Sequence, residues 1–340
     1  LQGTDDRFTA DFILIAVGSR PFRPASIPFE EEAVYDSDEI LWMEQIPASM
    51  VIVGAGVIGC EYACMFAALG IDITLVDPKD SILPFLDSEI SGSLVNEMKQ
   101  LGVKFLFGEL VDRVEIENGQ CLTYLKSGKT LRSATHLYAA GRSGNTDGLG
   151  LENIGLAPNS RGLLEVNEHY QTTVPNIYAA GDVIGFPSLA STSMEQGRVA
   201  MCHAFDFCYK DRVAALLPYG IYTIPEVSMV GMTEQEAQEH SIDHEVGRSR
   251  YSDNPRGKII GNENGMLKLV FAKSDKRLLG VHVIGDNASE LVHIGMMTMH
   301  FGGTIEAFIS SVFNYPTLSD IYKYATYDGL GNLSGHKIRD

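Results

Sequence analysis

Apolar and polar positions change period several times along the chain, and each change predicts an element. Phe12 to Val17, inside TADFILIAVGSRP, is an unbroken apolar run that stops at Gly18-Ser19 ahead of Pro21, the profile of a buried strand. Met50 to Val53 form a second strand, an apolar helix of small residues follows from Val57 to Leu69, and Gly70 ends it before the strand IDITLVD. KQLGVKFLFGELVDRVEI, a polar turn at Asn118-Gly119 and LTYLKSGKTLRSATHLYAAGR alternate as the strands of a meander. That stretch closes on another buried strand, Leu137 to Gly141. Ile177 to Ala180 give a short strand stopped by Gly181, and a loop with Gly185 and Pro187 leads to a helix from about Leu189. From about Leu216 the pattern becomes strand-rich. A helix there starts at Thr233 with Glu236 three residues on, a capping box. GMLKLVFAKSDKRLLGVHVIG reads as two strands about a polar turn, and ASELVHIGMMTMHF as a helix.

Strands alternating with helices predict an α/β architecture, and 340 residues exceed one ordinary domain. The net charge of −18 disfavours nucleic acid and anionic membranes as partners. No run is apolar enough to span a bilayer, since Met50 to Gly59 is broken by glycines and followed by Glu61. Cys60, Cys64, Cys121, Cys202 and Cys208 have no zinc-like spacing and read as reduced thiols packed in a core, which points to the cytoplasm. His293 and His300 share a helix face without a third ligand, so no metal site is expected.

The candidate chemistry lies where strands run into glycine. Gly54, Gly56 and Gly59 have the spacing G-x-G-x-x-G between a strand and a helix. The first permits a tight turn, the second lets backbone approach a pyrophosphate, and the third lets helix and strand pack closely. Asp77 closes the next strand, roughly 20 residues on, where a carboxylate accepts from ribose hydroxyls. It favours NAD over NADP by repelling a 2′-phosphate, so that NADP use rests on Lys79, the nearby cation. Asp182, just past a strand, is placed either to hold a sugar or sugar-alcohol hydroxyl or to cap a turn. The amides of the helix after it can stabilise negative charge on a bound ring.

Taken in order, ILIAVGSRP, VIVGAGVIGCEYA, YAAGR and NIYAAGDVIGFPSLA resemble the two-dinucleotide (FAD/NAD) flavoprotein disulfide reductases over essentially the whole chain. The resemblance implies a Rossmann-like NAD domain inserted in an FAD domain, followed by an α+β dimerisation domain. The implied boundaries are 1–22 for a remnant of the FAD domain, 23–147 for the NAD(P)-binding domain, 148–215 for the second part of the FAD domain and 216–340 for the dimer interface. In the family the FAD domain opens with its own glycine turn and redox segment. The resemblance therefore implies a half-domain of about a hundred residues ahead of this chain, and weak or absent FAD binding by the chain alone.

VFNYPTLSDIYKYA departs from the disulfide reductases. They carry a histidine base before Pro-Thr and a glutamate three residues after the threonine. Here those places hold Tyr315 and Asp320, and Phe313 replaces a further family histidine. A tyrosine titrates at about pH 10 and is a poor thiol base at neutrality. Phe-Asn-Tyr-Pro-Thr instead resembles one branch, the soluble pyridine nucleotide transhydrogenases, as do AGRSGNTDGLGLENIGL, GDVIGFPSLASTSMEQGR and YTIPEVSMVGMTEQE. Hydride passing from NADPH through FAD to NAD+ takes no proton from a substrate.

By this resemblance Gly54, Gly56, Gly59, Asp77 and Lys79 hold NAD(H) or NADP(H), and Asp182 holds the FAD ribityl chain. Leu189 and Ala190 face the flavin's pyrimidine edge, with Gly141 and Gly181 among the cofactor-binding glycines. Glu61 sits near the nicotinamide–flavin junction, and Tyr315 closes the flavin site from the neighbouring subunit of a homodimer or larger homo-oligomer. Two other readings stand beside it. One is a dihydrolipoamide dehydrogenase- or glutathione reductase-like enzyme, and the other is an NAD(H)-binding protein without turnover.

Overall fold

The structure is a computed structural model that describes residues 7–335. The chain divides into two compact units, Leu1–Phe22 with Gly141–Ala215, and Arg23–Ala140 with Leu216–Asp340.

The larger unit contains a parallel sheet in the order Val34–Asp36, Thr135–Tyr138, Ser49–Val53, Asp72–Asp77, Lys104–Phe107. Its central strands are nearly continuous apolar runs because both faces are covered. The helix Val57–Ala68 buries Cys60, Ala63, Cys64 and Ala67, small side chains that let it lie close to the sheet. The helix Ser88–Gln100 buries Ile90, Leu94 and Met98 at the four-residue spacing of one helix face. Each such side chain contributes about 1.5–3 kcal/mol of burial. An antiparallel meander, Val111–Glu117, Gln120–Leu125 and Thr130–Ser133, is inserted before the last strand of this sheet.

The C-terminal part of the same unit is an antiparallel sheet in the order Tyr219–Ile221, Val227–Gly231, Leu278–Ile284, Met266–Ala272, His244–Arg250. The helices Ala288–His300 and Ile321–Ser334 pack on it. One core unites Leu267, Phe271, Val281, Val292, Ile321 and Tyr322. Another joins Ile52, Ile73, Leu94 and Leu137 to Ile221, Val227, Met266 and Ile284, so the two parts share apolar interior rather than each closing a separate one.

In the smaller unit Ile13–Ile15 pairs in parallel with Ile177–Ala179, and Ser19–Pro21 pairs antiparallel with Arg142–Gly144. Ile15, Leu151, Leu164, Ile177 and Val183 form its core beside the helix Ala190–Ala204.

Three sequence expectations need correction. The run Phe12 to Val17 is strand only over Ile13–Ile15, with Ile13 47% and Val17 40% exposed, because the strand has one partner and an open side. Lys104–Phe107 and Thr135–Tyr138 belong to the parallel sheet, not to the meander. Cys60, Cys64, Cys121 and Cys202 are buried free thiols, but Cys208 is exposed, lying beyond the helix end at Ala204. No helix among the described residues is long and apolar enough to cross a membrane, and no group of three or more acidic, cysteine or histidine side chains there has a metal-holding arrangement.

Candidate functional site

The strand Ser49–Val53 delivers the chain into Gly54 at φ +107°, and Gly56 is the N-cap of the helix that follows. The three glycines of the turn have different reasons to be glycine. A Cβ at Gly59 would lie 1.8 Å from the Gly54 carbonyl oxygen, and one at Gly54 would lie 2.8 Å from that of Ala139. Packing inside the protein forbids both. A Cβ at Gly56 would meet nothing within 4 Å, and its φ of −77° suits any residue. Gly56 is exposed, at a helix start with no side-chain cap. The bare patch and the outward N–H groups form a cradle that a side chain would fill, and this fits a dinucleotide pyrophosphate.

Asp77 stands at the end of the adjacent strand. Its Oδ2 accepts from Ala55 N–H at 2.6 Å and its Oδ1 from Lys79 N–H at 2.8 Å. The predicted ribose acid thus also staples the glycine turn, and each oxygen keeps a lone pair for a ligand. Lys79 is exposed, its carbonyl accepting from Gly108 N–H at 3.1 Å. Glu61, one turn into the helix, accepts from Tyr222 N–H at 2.8 Å. Burial pushes its carboxyl above the usual range, partly opposed by that N–H.

In the smaller unit Gly181 takes φ +81° and donates its N–H to Gln196 Oε1 at 2.8 Å. Asp182 Oδ2 accepts from Ser19 Oγ at 2.8 Å, and that hydroxyl in turn accepts from Arg142 Nε at 2.7 Å. Arg142 also donates to the Ser19 carbonyl at 2.8 Å. Asp182 therefore does not merely cap its own turn. It faces a cavity of about 460 Å³ lined by small residues such as Ala16, Gly18, Ser193 and Gly197. Leu189 is the N-cap of the helix Ala190–Ala204 and has no side-chain cap, so this helix start also presents free amides. A ligand with hydroxyls and an electron-rich ring edge fits these donors. Gly141, at φ +115°, accepts from Phe22 N–H at 3.1 Å and so ends the strand pairing beside Arg142.

Tyr315 is 72% exposed, on the segment before the last helix. Asp320 is buried at the start of that helix. The residues missed from sequence are Ser19, Arg142, Ala55 and Tyr222. Ser19 and Arg142 fall within VGSRP and AAGR, but their partnership with Asp182 spans distances that no local pattern carries.

A family model described as pyridine nucleotide-disulphide oxidoreductase matches residues 1–197, and the dimerisation domain of the same description matches 217–326. A soluble pyridine nucleotide transhydrogenase from Mycobacterium bovis is 50% identical over 325 residues, covering 96% of this chain and 69% of that protein. One from Yersinia pestis is 44% identical over 335 residues, covering 98% and 72%. Among solved structures, the HOCl-induced flavoprotein disulfide reductase RclA from Escherichia coli superposes with a TM-score of 0.88 at 27% identity, over 93% of this chain and 73% of that one. LpdA from Mycobacterium tuberculosis does so at 0.85 and 26%, over 94% and 69%.

Proposed function

The chain belongs to the pyridine nucleotide-disulphide oxidoreductase family, and from that premise we propose that it is an FAD-dependent NAD(P)+ transhydrogenase carrying hydride from NADPH to NAD+. The observation that carries the reading is Tyr315, an exposed phenol where thiol chemistry needs a base. The relatives that share 44–50% identity bear the transhydrogenase name, in keeping with a reaction that requires no such base.

FAD, when bound, supplies a two-electron carrier between successive nicotinamides. The chain's own residues bind and orient. Gly56 and the amides of the helix behind it hold the pyrophosphate of NAD(H) or NADP(H), with Gly54 and Gly59 keeping the turn closed. Asp77 takes the ribose, and Lys79 is the cation available to a 2′-phosphate. Glu61, on the nucleotide helix, is the residue expected near the nicotinamide–flavin junction. Asp182, oriented by Ser19 and Arg142, holds sugar-alcohol hydroxyls, while Gly141 and Gly181 let backbone approach. The helix start at Leu189 and Ala190 stabilises negative charge at the ring edge. Tyr315 closes the site from a second copy in a cytoplasmic homodimer, in keeping with the dimerisation-domain match and the exposed Phe301, Val312 and Tyr324. Flavin binding by these residues alone is expected to be weak, since the sequence holds one G-x-G-x-x-G turn, already assigned to the nicotinamide dinucleotide.

The test is reduction of the thionicotinamide analogue of NAD+ by NADPH, with FAD supplied and flavin absorbance followed. Transhydrogenation without turnover of lipoamide or glutathione disulfide is expected. Disulfide turnover without transhydrogenation would overturn the proposal, and so would tight NADH binding with no reduction of flavin.

A further inference from the structure

Lys268, on the strand Met266–Ala272, is 1% exposed. Its Nζ lies 2.9 Å from Asp87 Oδ1, 2.6 Å from Glu234 Oε2 and 3.1 Å from Glu89 Oε2, so three carboxylates surround its three donors. Arg248, on the neighbouring strand His244–Arg250, donates from Nε to both oxygens of Glu89 at 2.8 Å. Asp87 is fully buried and serves two helices as well as the lysine. Its Oδ1 accepts from Glu89 N–H at 3.1 Å at the start of Ser88–Gln100, and its Oδ2 from Glu234 N–H at 3.3 Å. His282 is buried beside them, with Nε2 donating to the Met232 carbonyl at 3.0 Å. One carboxylate of the nucleotide-binding part is thus gripped by charge and by backbone from the C-terminal part. Apolar contacts alone tolerate sliding, whereas directional charged bonds fix a register.

Nine residues lie between Asp77 and Asp87, and that stretch is held on the glycine turn. Leu83 N–H donates to the Ala55 carbonyl at 3.2 Å. Leu83 does this from φ +44°, a costly conformation for an L side chain, while fully buried. Leu86 N–H closes back on Leu83 O at 2.9 Å, and Ser91 Oγ donates to Ile82 O at 3.0 Å. Ala55 is the middle residue of Gly54-Ala55-Gly56, and its N–H is the one bound by Asp77 at 2.6 Å. Both polar groups of the turn's central residue are therefore held by one segment, anchored at its far end by Asp87.

We infer that Lys268 is a positioning residue for the dinucleotide turn: it fixes Asp87, Asp87 tethers the segment that carries Leu83, and Leu83 holds the Ala55 carbonyl so that the Gly56 cradle keeps its shape. A side chain on a strand of the C-terminal sheet thereby sets affinity for the nicotinamide dinucleotide, provided that the turn binds it as proposed above.

The experiment uses the full chain and NADH as probe. K268M combined with D87N removes both buried charges together, which avoids stranding one of them. NADH affinity is expected to fall about fivefold, with faster amide hydrogen exchange in residues 79–86 and unchanged exchange in the meander 111–133. Faster exchange with unchanged NADH affinity would overturn the coupling to the turn, and unchanged exchange would overturn the tether. E234Q, at a half-buried position, repeats the test in a milder form should the double variant be unstable. There a smaller loss of affinity with the same exchange pattern supports the inference, and parental values of both oppose it. Failure of the parent chain to bind NADH would instead refute the dinucleotide reading of the turn, while the exchange pattern still decides whether Lys268 tethers the segment.

Discussion

Gly56 and Gly59 are three residues apart in one turn, and their replacement by alanine should separate ligand binding from folding. At Gly59 the new Cβ would lie 1.8 Å from the Gly54 carbonyl oxygen, so strand and helix must part. Overpacking of this kind costs about 1–3 kcal/mol or more, or roughly 2–4 °C of melting temperature per kcal/mol for a unit of this size. At Gly56 the new Cβ meets nothing, and φ −77°, ψ −174° is ordinary extended backbone. The gain from restricting the unfolded chain, about 0.4–1 kcal/mol, is offset by the poorer N-cap that alanine makes, by a similar amount. G56A should therefore melt within about 2 °C of the parent. Its methyl, however, would occupy the place proposed for the pyrophosphate, and NADH affinity should fall at least about tenfold, or 1.4 kcal/mol. Thermal melts and NADH fluorescence titrations on the two variants decide the matter. A large loss of stability in G56A would show that this glycine is structural, and parental NADH affinity in G56A would remove the pyrophosphate from the turn.

Other substitutions test the remaining roles. D77N keeps an acceptor for the Ala55 N–H but loses the charge, so NADH affinity should fall about tenfold while NADPH affinity rises; parallel titrations that show equal losses would deny Asp77 a part in discrimination. Y315F should leave the pH profile of transhydrogenation unchanged and kcat within about twofold, whereas loss of one limb of that profile would make the phenol a proton carrier. Glu61 has a raised folded pKa, so the native state holds its proton more firmly than the unfolded chain does, and its contribution to stability declines as pH rises through that folded value. E61Q retains the acceptor for Tyr222 N–H and is expected to melt about 1–2 °C above the parent at pH 7. That gap should close below about pH 4, and a gap independent of pH would mean that the carboxylate's charge is not what burial penalises.

The glycine turn, the helix after it and the acid on the next strand were legible because each is a local event: a change of period, a breaker and a charge at a fixed distance. The assignment of strands to sheets was not. Lys104–Phe107 carries the same short apolar signal as the meander strands that follow it, and only the parallel pairing with Asp72–Asp77 separates them. Burial misled in the other direction at Ile13 and Val17, where an apolar run implied a covered strand. Lys268 shows the limit most sharply. In MLKLVFA a lone lysine interrupts an otherwise apolar run and nothing local tells what could pair with it, yet it is the most deeply placed cation described, because its partner Asp87 lies 181 residues away in sequence. Ser19 and Asp182 meet across 163 residues in the same manner. Periodicity reports which face of an element is apolar, but not which distant charge arrives to neutralise it.

On the proposed function Asp77 poses a physical question, since a transhydrogenase would have to accept both NAD(H) and NADP(H) although a carboxylate at the ribose repels a 2′-phosphate. The structure moderates that conflict. Both oxygens of Asp77 already accept backbone N–H groups, from Ala55 and from Lys79, and bonds to a carboxylate draw its charge inward toward the turn. The second of these bonds holds the exposed Lys79 two residues past the acid, with its backbone N–H tied down and its side chain on the solvent side. A ribose bearing two hydroxyls can use the spare lone pairs of Asp77, while a ribose bearing phosphate can turn toward the lysine, a flexible cation that does not require a fixed fork of donors. On the proposed function, discrimination at this site would be a matter of about 1 kcal/mol rather than exclusion. A small difference of that kind suits an enzyme whose two substrates succeed one another at a single turn, and it would be poorly served by the rigid arginine that an NADP-specific site would favour.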